Sequence, residues 1–280
     1  MLFAIIAAIS GAAADVTNKI LLGKLKLTLR EYLPLTFIFL SASSFLLLPL
    51  GAHLDSRGLA LPYMLLFIFM LFCAITWNTL LAKSMQTEPL HEYEAIILTV
   101  PFATVLLATV FLPAERNLVA ILAGLVASGT LLAFKFKNHH LALSKSAKRT
   151  MLAVLFIACE AVSLKVLLDF YSPILLYFIR VTILAIYFYW RYRPDFKILQ
   201  FKPARLGLIL TAIFGTGIMV LKYYAFMQIG VVLTTLILLL SQVLTYVASY
   251  FYLKERRNFR PDLYCAGIII VCIIITVIVR

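Results

Sequence analysis

Ten runs of about twenty mostly apolar residues follow one another along this 280-residue chain, with only short polar connections between them. A helix of about 20 apolar residues crosses a bilayer. Because lipid offers the backbone no hydrogen-bond partners, each run is expected to be a helix. Hydrophobic residues make up 64% of the chain, above the roughly half that is usual in soluble domains. The sequence predicts an all-α integral membrane protein with ten transmembrane helices at residues 2–22, 32–51, 61–83, 92–112, 117–135, 150–169, 173–190, 205–226, 231–253 and 262–279.

A short motif with a central lysine occurs twice, once in each half of the chain. Residues 16–22 read VTNKILL and residues 162–168 read VSLKVLL, and an acidic residue lies just before each motif, Asp15 and Glu160. Because five spans is an odd number, a second copy of a five-span unit enters the membrane from the opposite side. The sequence thus predicts two inverted five-helix repeats, residues 1–140 and 141–280. Secondary transporters with this architecture have their binding sites near the midplane.

The positive charge of the chain is distributed unevenly between alternate connections. Eighteen Lys and Arg residues lie in the connections after the odd-numbered spans, against three on the other side, Arg57, Arg116 and Arg280. Basic residues concentrate on the cytoplasmic side of membrane proteins. Both termini are therefore predicted to lie outside the cytoplasm, with the chain in the plasma membrane. The net charge of +13 is explained by this bias, so no nucleic-acid partner is expected.

Cysteine and histidine residues do not form patterns typical of metal or disulfide chemistry. The four cysteines lie in apolar runs without paired spacing, and the four histidines are scattered over loops. No nucleotide-binding loop is present in the sequence. We expect no metal and no cofactor. An enzyme embedded in the membrane would need clustered histidines or an acidic dyad, so we expect no enzymatic activity.

Six of the charged residues within the predicted spans are singled out, because a charge inside the membrane is by default a functional hypothesis. Helical arithmetic puts three cations of the second half at one level, with one acid nearby. The cations could attract a carboxylate or phosphate at a cavity, or the acid could pair internally with one of them. In the first half, an acid and a lysine four residues apart can pair on one helix face. The residues are Lys165, Arg180, Lys222 and Glu160 in the second half, and Asp15 and Lys19 in the first.

Further polar residues in the spans are candidates for lining a cavity. A carboxyl group surrounded by apolar helices is protonated more easily than one in water, so Glu160 and Asp15 are candidates for proton coupling. Polar side chains on one helix face can also serve only to hold helices together. The candidate lining residues are Trp77, Asn78, Tyr223, Gln242 and Tyr246.

The chain resembles the EamA-type members of the drug/metabolite transporter superfamily, which have ten helices in two five-helix repeats. The resemblance rests on Asn18-Lys19 at the end of span 1, Pro101 in span 4, Pro173 followed by Arg180 in span 7, and the pairs Glu115-Arg116 and Glu255-Arg256. The family usually has Gly before Glu-Arg, where this chain has Ala114 and Lys254. Most relatives are thought to keep both termini in the cytoplasm, opposite to the charge bias. The resemblance implies transport without naming a substrate.

These observations predict a secondary transporter of small metabolites that works by alternating access. Amino acids and organic anions are the favoured substrates, and proton coupling is one expectation. The alternatives are a lipid-moving protein and a membrane subunit without transport activity. The expected partners are a small-molecule substrate and the lipid bilayer, with the chain as a monomer or a homodimer.

Overall fold

The computed structural model describes residues 1–87, 97, 99–116, 118–136, 145–253 and 259–278. The regular structure of these residues is almost entirely helical, apart from one isolated β-bridge. Each α-helix overlaps one of the ten predicted spans, so the predicted all-α fold is confirmed for this part of the chain. Its ten α-helices are α1 Leu2–Lys19, α2 Leu29–Phe45, α3 Leu61–Thr87, α4 Val100–Phe111, α5 Leu118–Phe136, α6 Lys145–Leu167, α7 Pro173–Tyr192, α8 Lys202–Ile229, α9 Val231–Leu253 and α10 Phe259–Ile278.

Half of these helices are long and apolar enough to cross a membrane by themselves. Two further segments, Val100–Phe111 and Val231–Thr245, are shorter apolar helices in the described part of the chain. Helix α2 has only 17 residues. The five candidate spans found in the described residues are Leu2–Gly23, Leu61–Ser84, Lys148–Leu167, Pro173–Tyr192 and Lys202–Ile229.

Several helices begin and end at residues whose chemistry suits a terminus. The Glu31 carboxylate accepts hydrogen bonds from the backbone N–H and the hydroxyl of Thr28, at 3.0 and 2.7 Å, which forms a capping box at the start of α2. Helix α7 begins with Ser172 as its N-cap and Pro173 in its first turn. It ends at Arg193, whose φ of 47° is left-handed.

Helix α1 does not end as an ordinary α-helix. Its last turn continues as a π-helix over Ile20–Lys24, where the Leu25 N–H donates to the Ile20 carbonyl at 2.9 Å. Single π-helical turns are rare and often occur at functional sites. This turn directly follows Asn18-Lys19, the motif that ends span 1.

The helices pack mainly across the two halves of the chain. Helix α1 lies against α8 and α9, and α6 lies against α3 and α4. Helix α2 packs on α7, and α5 packs on α10. The approach of α1 is close, because a Cβ on Gly11 would come within 2.6 Å of the Ser241 hydroxyl oxygen in α9. The largest buried cluster draws mainly on α2, α3, α6, α7 and α8, with smaller contributions from α4 and α9. The charged groups described below lie among these helices.

Two loops at one end of the bundle are joined by backbone hydrogen bonds, in a contact that we call the loop clasp (residues 53–55 with 170–172). Leu54 and Tyr171 form an antiparallel bridge. Two aromatic pairs flank it, one of them between Tyr63 and Phe170 with ring centroids 4.1 Å apart. The clasp ties the α2–α3 loop to the α6–α7 loop. Its hydrogen bonds run from Asp55 N to Phe170 O (2.9 Å), from Ser172 N to His53 O (2.9 Å) and from His53 N to Ser172 Oγ (2.9 Å).

The acidic residue of the loop clasp is held in its ionised form. Arg57 donates to the Asp55 carboxylate from Nε at 3.0 Å and from Nη2 at 2.7 Å. These hydrogen bonds lower the pKa of Asp55 to about 2. The carboxylate, which also accepts the Arg57 N–H at 2.9 Å, therefore keeps its charge throughout the physiological pH range.

Candidate functional site

A buried ion pair joins helices α6 and α7. The Nε–H of Arg180 donates to Oε1 of Glu160 at 2.5 Å. Arg180 is 2% exposed and Glu160 is 4% exposed. Breaking a buried pair of this kind leaves a charge without compensation, which usually destabilises a protein strongly. Of the two interpretations that the sequence left open for Glu160, pairing with Arg180 is the arrangement found.

The second oxygen of the Glu160 carboxylate is also occupied. The indole Nε1–H of Trp77, on α3, donates a hydrogen bond to Oε2. The carboxylate therefore links three helices, one from the first half of the chain and two from the second. Because both of its oxygens are engaged, the orientation of the Arg180 guanidinium relative to α3 and α6 is well defined.

Helix α8 contributes two neighbouring residues to the same region. Lys222 is half-buried, its Nζ lies 5.2 Å from the ring centroid of Phe226, and it interacts electrostatically with both Glu160 and Arg180. Tyr223 is fully buried and lies close enough to the ion pair to interact with it. We call Trp77, Glu160, Arg180, Lys222 and Tyr223 the central polar cluster. With one carboxylate and two cations, its formal charge is +1.

Several hydrogen-bond donors of the central polar cluster are unused. A guanidinium group has five N–H donors, but within the described residues Arg180 makes a hydrogen bond only through Nε. The buried hydroxyl of Tyr223 has no hydrogen-bond partner among these residues either. Buried polar groups normally find partners, so each exception calls for an explanation.

Other predicted site residues lie elsewhere or make different contacts. Asn78 is buried, but its amide donates to the Ala74 carbonyl of its own helix at 2.8 Å. Lys165 is half-buried near the end of α6 and makes no ion pair with any residue that the structure describes. It lies five positions after Glu160 in the same helix, which places it about 140° around the helix axis from Glu160. The structure therefore does not join Lys165 to the ion pair.

Asp15, the acidic candidate of the first half, forms a polar contact away from the central polar cluster. Asp15, on α1, accepts a hydrogen bond from the Thr245 hydroxyl of α9 at 3.5 Å. It also interacts electrostatically with Tyr32 of α2. The side chains of Lys19, Gln242 and Tyr246 lie outside the described part of the structure, so their predicted roles stay predictions.

Two residues near the cluster were not singled out from the sequence. Tyr177 is buried one turn before Arg180, with its ring 6.0 Å from that of Tyr223, and it lies beside Thr216 of α8. Its spacing of three residues from Arg180 places both on one face of α7, which is a signal that could have identified it. Thr216 in turn shares a hydrogen bond of 2.5 Å with Ser43 of α2, a contact that has no sequence signal.

The first of the two Glu-Arg pairs has a defined structural role. The Glu115 carboxylate accepts hydrogen bonds from the N–H groups of Val231 at 2.8 Å and Val232 at 3.3 Å, which caps the start of α9. Arg116 donates to the carbonyls of Thr109 and Val110 near the end of α4, at 3.0 and 3.2 Å. The pair thus holds the end of α4 against the start of α9. The second pair, Glu255-Arg256, lies outside the described residues.

Comparison with known proteins identifies the second half of the chain. Residues 149–279 match the model of the EamA-like transporter family. The resemblance to the drug/metabolite transporter superfamily seen in the sequence is therefore confirmed. Glu160, Arg180, Lys222 and Tyr223 all lie within this EamA-like half. Together with the apolar helices, the match indicates a multi-pass membrane protein.

The fold of the whole chain is also found in solved structures. One, described only as "Crystal structure of protein", superposes with a TM-score of 0.75 at 13% identity and covers 99% of this chain and 96% of that one. At this identity the similarity concerns the fold alone. No curated protein sequence matches the chain.

Proposed function

We propose that this protein is a secondary transporter that moves a small metabolite by alternating access, with the substrate bound at the central polar cluster. The observation that carries the proposal is the buried Glu160–Arg180 pair of the second half, which also contacts Trp77 of the first half and leaves cationic donors unused. Charged residues inside a membrane bundle are costly and usually mark a substrate or ion pathway. Amino acids and organic anions remain the favoured substrates.

We infer further that the ten helices form two inverted five-helix repeats, residues 1–140 and 141–280. The packing partners support this. Under the repeat, each helix of the first half corresponds to the helix five places later in the second half. The contact of α1 with α8 then corresponds to the contact of α6 with α3, and the contact of α1 with α9 corresponds to that of α6 with α4. The α2–α7 and α5–α10 contacts each correspond to themselves. Such equivalence is expected of a repeat architecture built around a common site.

Proton coupling through Glu160 or Asp15 is part of the proposal. Glu160 holds Arg180 and Trp77 only as an acceptor, so its protonation would weaken both contacts. Asp15 lies one position away from the residue of the first half that aligns with Glu160, and it interacts with α9 and α2. A proton gradient should therefore stimulate uptake if either carboxyl group carries the proton.

The test is an uptake screen in proteoliposomes with amino acids, nucleotides and organic acids, in the presence and absence of a pH gradient. We expect saturable uptake of at least one compound by the wild-type protein. The K222Q variant should take it up much more slowly at the same reconstituted density. If none of these compounds enters faster than it enters protein-free liposomes, the proposed function is wrong.

The orientation of the chain is a separate proposal with its own test. The bias of Lys and Arg favours a plasma-membrane protein with both termini outside the cytoplasm. An epitope tag placed before Met1 should then be labelled on intact cells by a membrane-impermeant antibody. Labelling only after permeabilisation would reverse the orientation.

A further inference from the structure

The unused donors of the central polar cluster specify the kind of substrate group that it accepts. Arg180 bonds to Glu160 through Nε, which leaves its two terminal nitrogens as further donors. The buried hydroxyl of Tyr223, which can donate or accept, has no partner among the described residues. The Lys222 ammonium contributes further N–H donors, and a lysine cannot accept a hydrogen bond. The only acidic residue found in the cluster, Glu160, already has both oxygens engaged.

We propose, building on the proposed transport function, that the substrate presents one carboxylate group to the cluster, bound by the terminal nitrogens of Arg180, by Lys222 and by the hydroxyl of Tyr223. In this arrangement Trp77 and Glu160 are positioning residues. They hold the Nε side of the guanidinium, so that its terminal nitrogens face the substrate.

The charge of the cluster favours a single carboxylate group over other charged groups. Glu160, Arg180 and Lys222 together carry a formal charge of +1, which one carboxylate neutralises. A dicarboxylate or a doubly charged phosphate would leave an excess negative charge away from water. A quaternary ammonium ion would add to the positive charge and could accept no hydrogen bond from these donors. Dicarboxylates, doubly charged phosphates and quaternary ammonium ions should therefore all bind more weakly than a single carboxylate.

Tyr223 is the residue that most sharply separates a binding role from a structural one. Its buried hydroxyl has no partner in this structure, so removing the hydroxyl should not destabilise the fold. If a substrate carboxylate accepts its hydrogen bond, the Y223F substitution should instead weaken binding. A hydrogen bond to a charged group corresponds to about 10- to 100-fold in affinity.

The chain offers an optical probe of binding that does not depend on transport. It contains only two tryptophans, and Trp190 is 74% exposed on α7. The W190F variant therefore leaves Trp77, which contacts Glu160, as the sole indole fluorophore. The full-length W190F protein in lipid nanodiscs is titrated with butyrate, succinate, inorganic phosphate and tetramethylammonium at constant ionic strength.

We expect a saturable change in Trp77 emission with butyrate, a weaker response with succinate and phosphate, and none with tetramethylammonium. Adding Y223F should raise the butyrate Kd about 10- to 100-fold with no fall in the unfolding temperature, and K222Q should also raise this Kd. The inference would be overturned by tighter binding of tetramethylammonium, succinate or phosphate than of butyrate. It would also be overturned by the absence of any response to butyrate, or by a butyrate Kd that Y223F leaves unchanged.

Butyrate binding without uptake of any compound would count against the transport function alone, whereas transport of cations alone would count against the carboxylate site.

Discussion

At the scale of single residues, the buried Glu160–Arg180 pair is the most informative feature of this protein. Charged groups this deeply buried are held by each other and by Trp77. Replacing one partner leaves the other charge unpaired, at a cost of about 3–5 kcal/mol, whereas replacing both with neutral groups is often tolerated.

The E160Q and R180Q substitutions should therefore each lower the thermal unfolding midpoint in nanodiscs. The midpoint of the double variant E160Q/R180Q should be well above the midpoint expected from adding the two single losses. R57Q is a suitable control because its ion pair with Asp55 is exposed, and its midpoint should hardly change. Strictly additive losses at positions 160 and 180 would mean that the two side chains do not interact.

The sequence predicted this pair as one of two options and could not choose between them. The spacing along each helix placed Lys165, Arg180 and Lys222 at one level. It did not show which side chains turn toward Glu160. Lys165 is on the same helix as Glu160 but about 140° away around its axis, whereas Arg180 approaches from α7. The rotation of each helix depends on tertiary packing, which no local pattern encodes.

At the scale of helices, the start of α9 depends on one glycine and one carboxylate. Gly230 has a φ of 83°, and a Cβ at this position would lie 2.5 Å from both oxygens of Glu115. A side chain here would be strained by the backbone and would also disturb the cap that Glu115 forms on α9.

The G230A substitution should accordingly destabilise the protein by at least about 1–2 kcal/mol, seen as a lower unfolding midpoint. Removing the cap with E115A should cost about 0.5–2 kcal/mol, and G230A/E115A should cost less than the sum because the clash is relieved. G129A is the matched control, since a Cβ at Gly129 in α5 meets nothing within 4 Å. A G230A variant as stable as G129A would contradict this role of Gly230.

The existence of the helices was predictable because each is a long apolar run, whereas their details were not. Span 2 was predicted to begin at residue 32, but α2 begins at Leu29, after a capping box that brings its charged first turn into the helix. The π-helical turn over Ile20–Lys24 has no counterpart in the hydropathy pattern.

At the scale of the whole molecule, the loop clasp holds one end of the bundle closed. It joins a loop of the first half to a loop of the second by backbone hydrogen bonds. Alternating access requires the two halves to separate at one end of the membrane at a time. In the proposed transport cycle, the clasp would therefore have to break before its end of the bundle could open.

A disulfide across the clasp should trap this closed end. In a background with the four native cysteines replaced by serine, H53C and S172C lie next to the Leu54–Tyr171 bridge, at positions joined by a backbone hydrogen bond of 2.9 Å. We expect a disulfide to form between them. Oxidation should cross-link most molecules and strongly reduce uptake, and reduction should restore uptake. The single variants H53C and S172C, oxidised in the same way, should keep their activity. Full activity in the cross-linked protein would show that the clasp need not open.

The central claim is that the buried charged pair between α6 and α7 serves transport as well as stability. The most direct measurement is uptake by proteoliposomes containing E160Q/R180Q, compared with the wild-type protein at equal density, for a compound that the wild-type protein transports. The double variant should fold, with an unfolding midpoint close to that of the wild-type protein, yet transport no faster than protein-free liposomes. A folded double variant that transports at the wild-type rate would contradict the account.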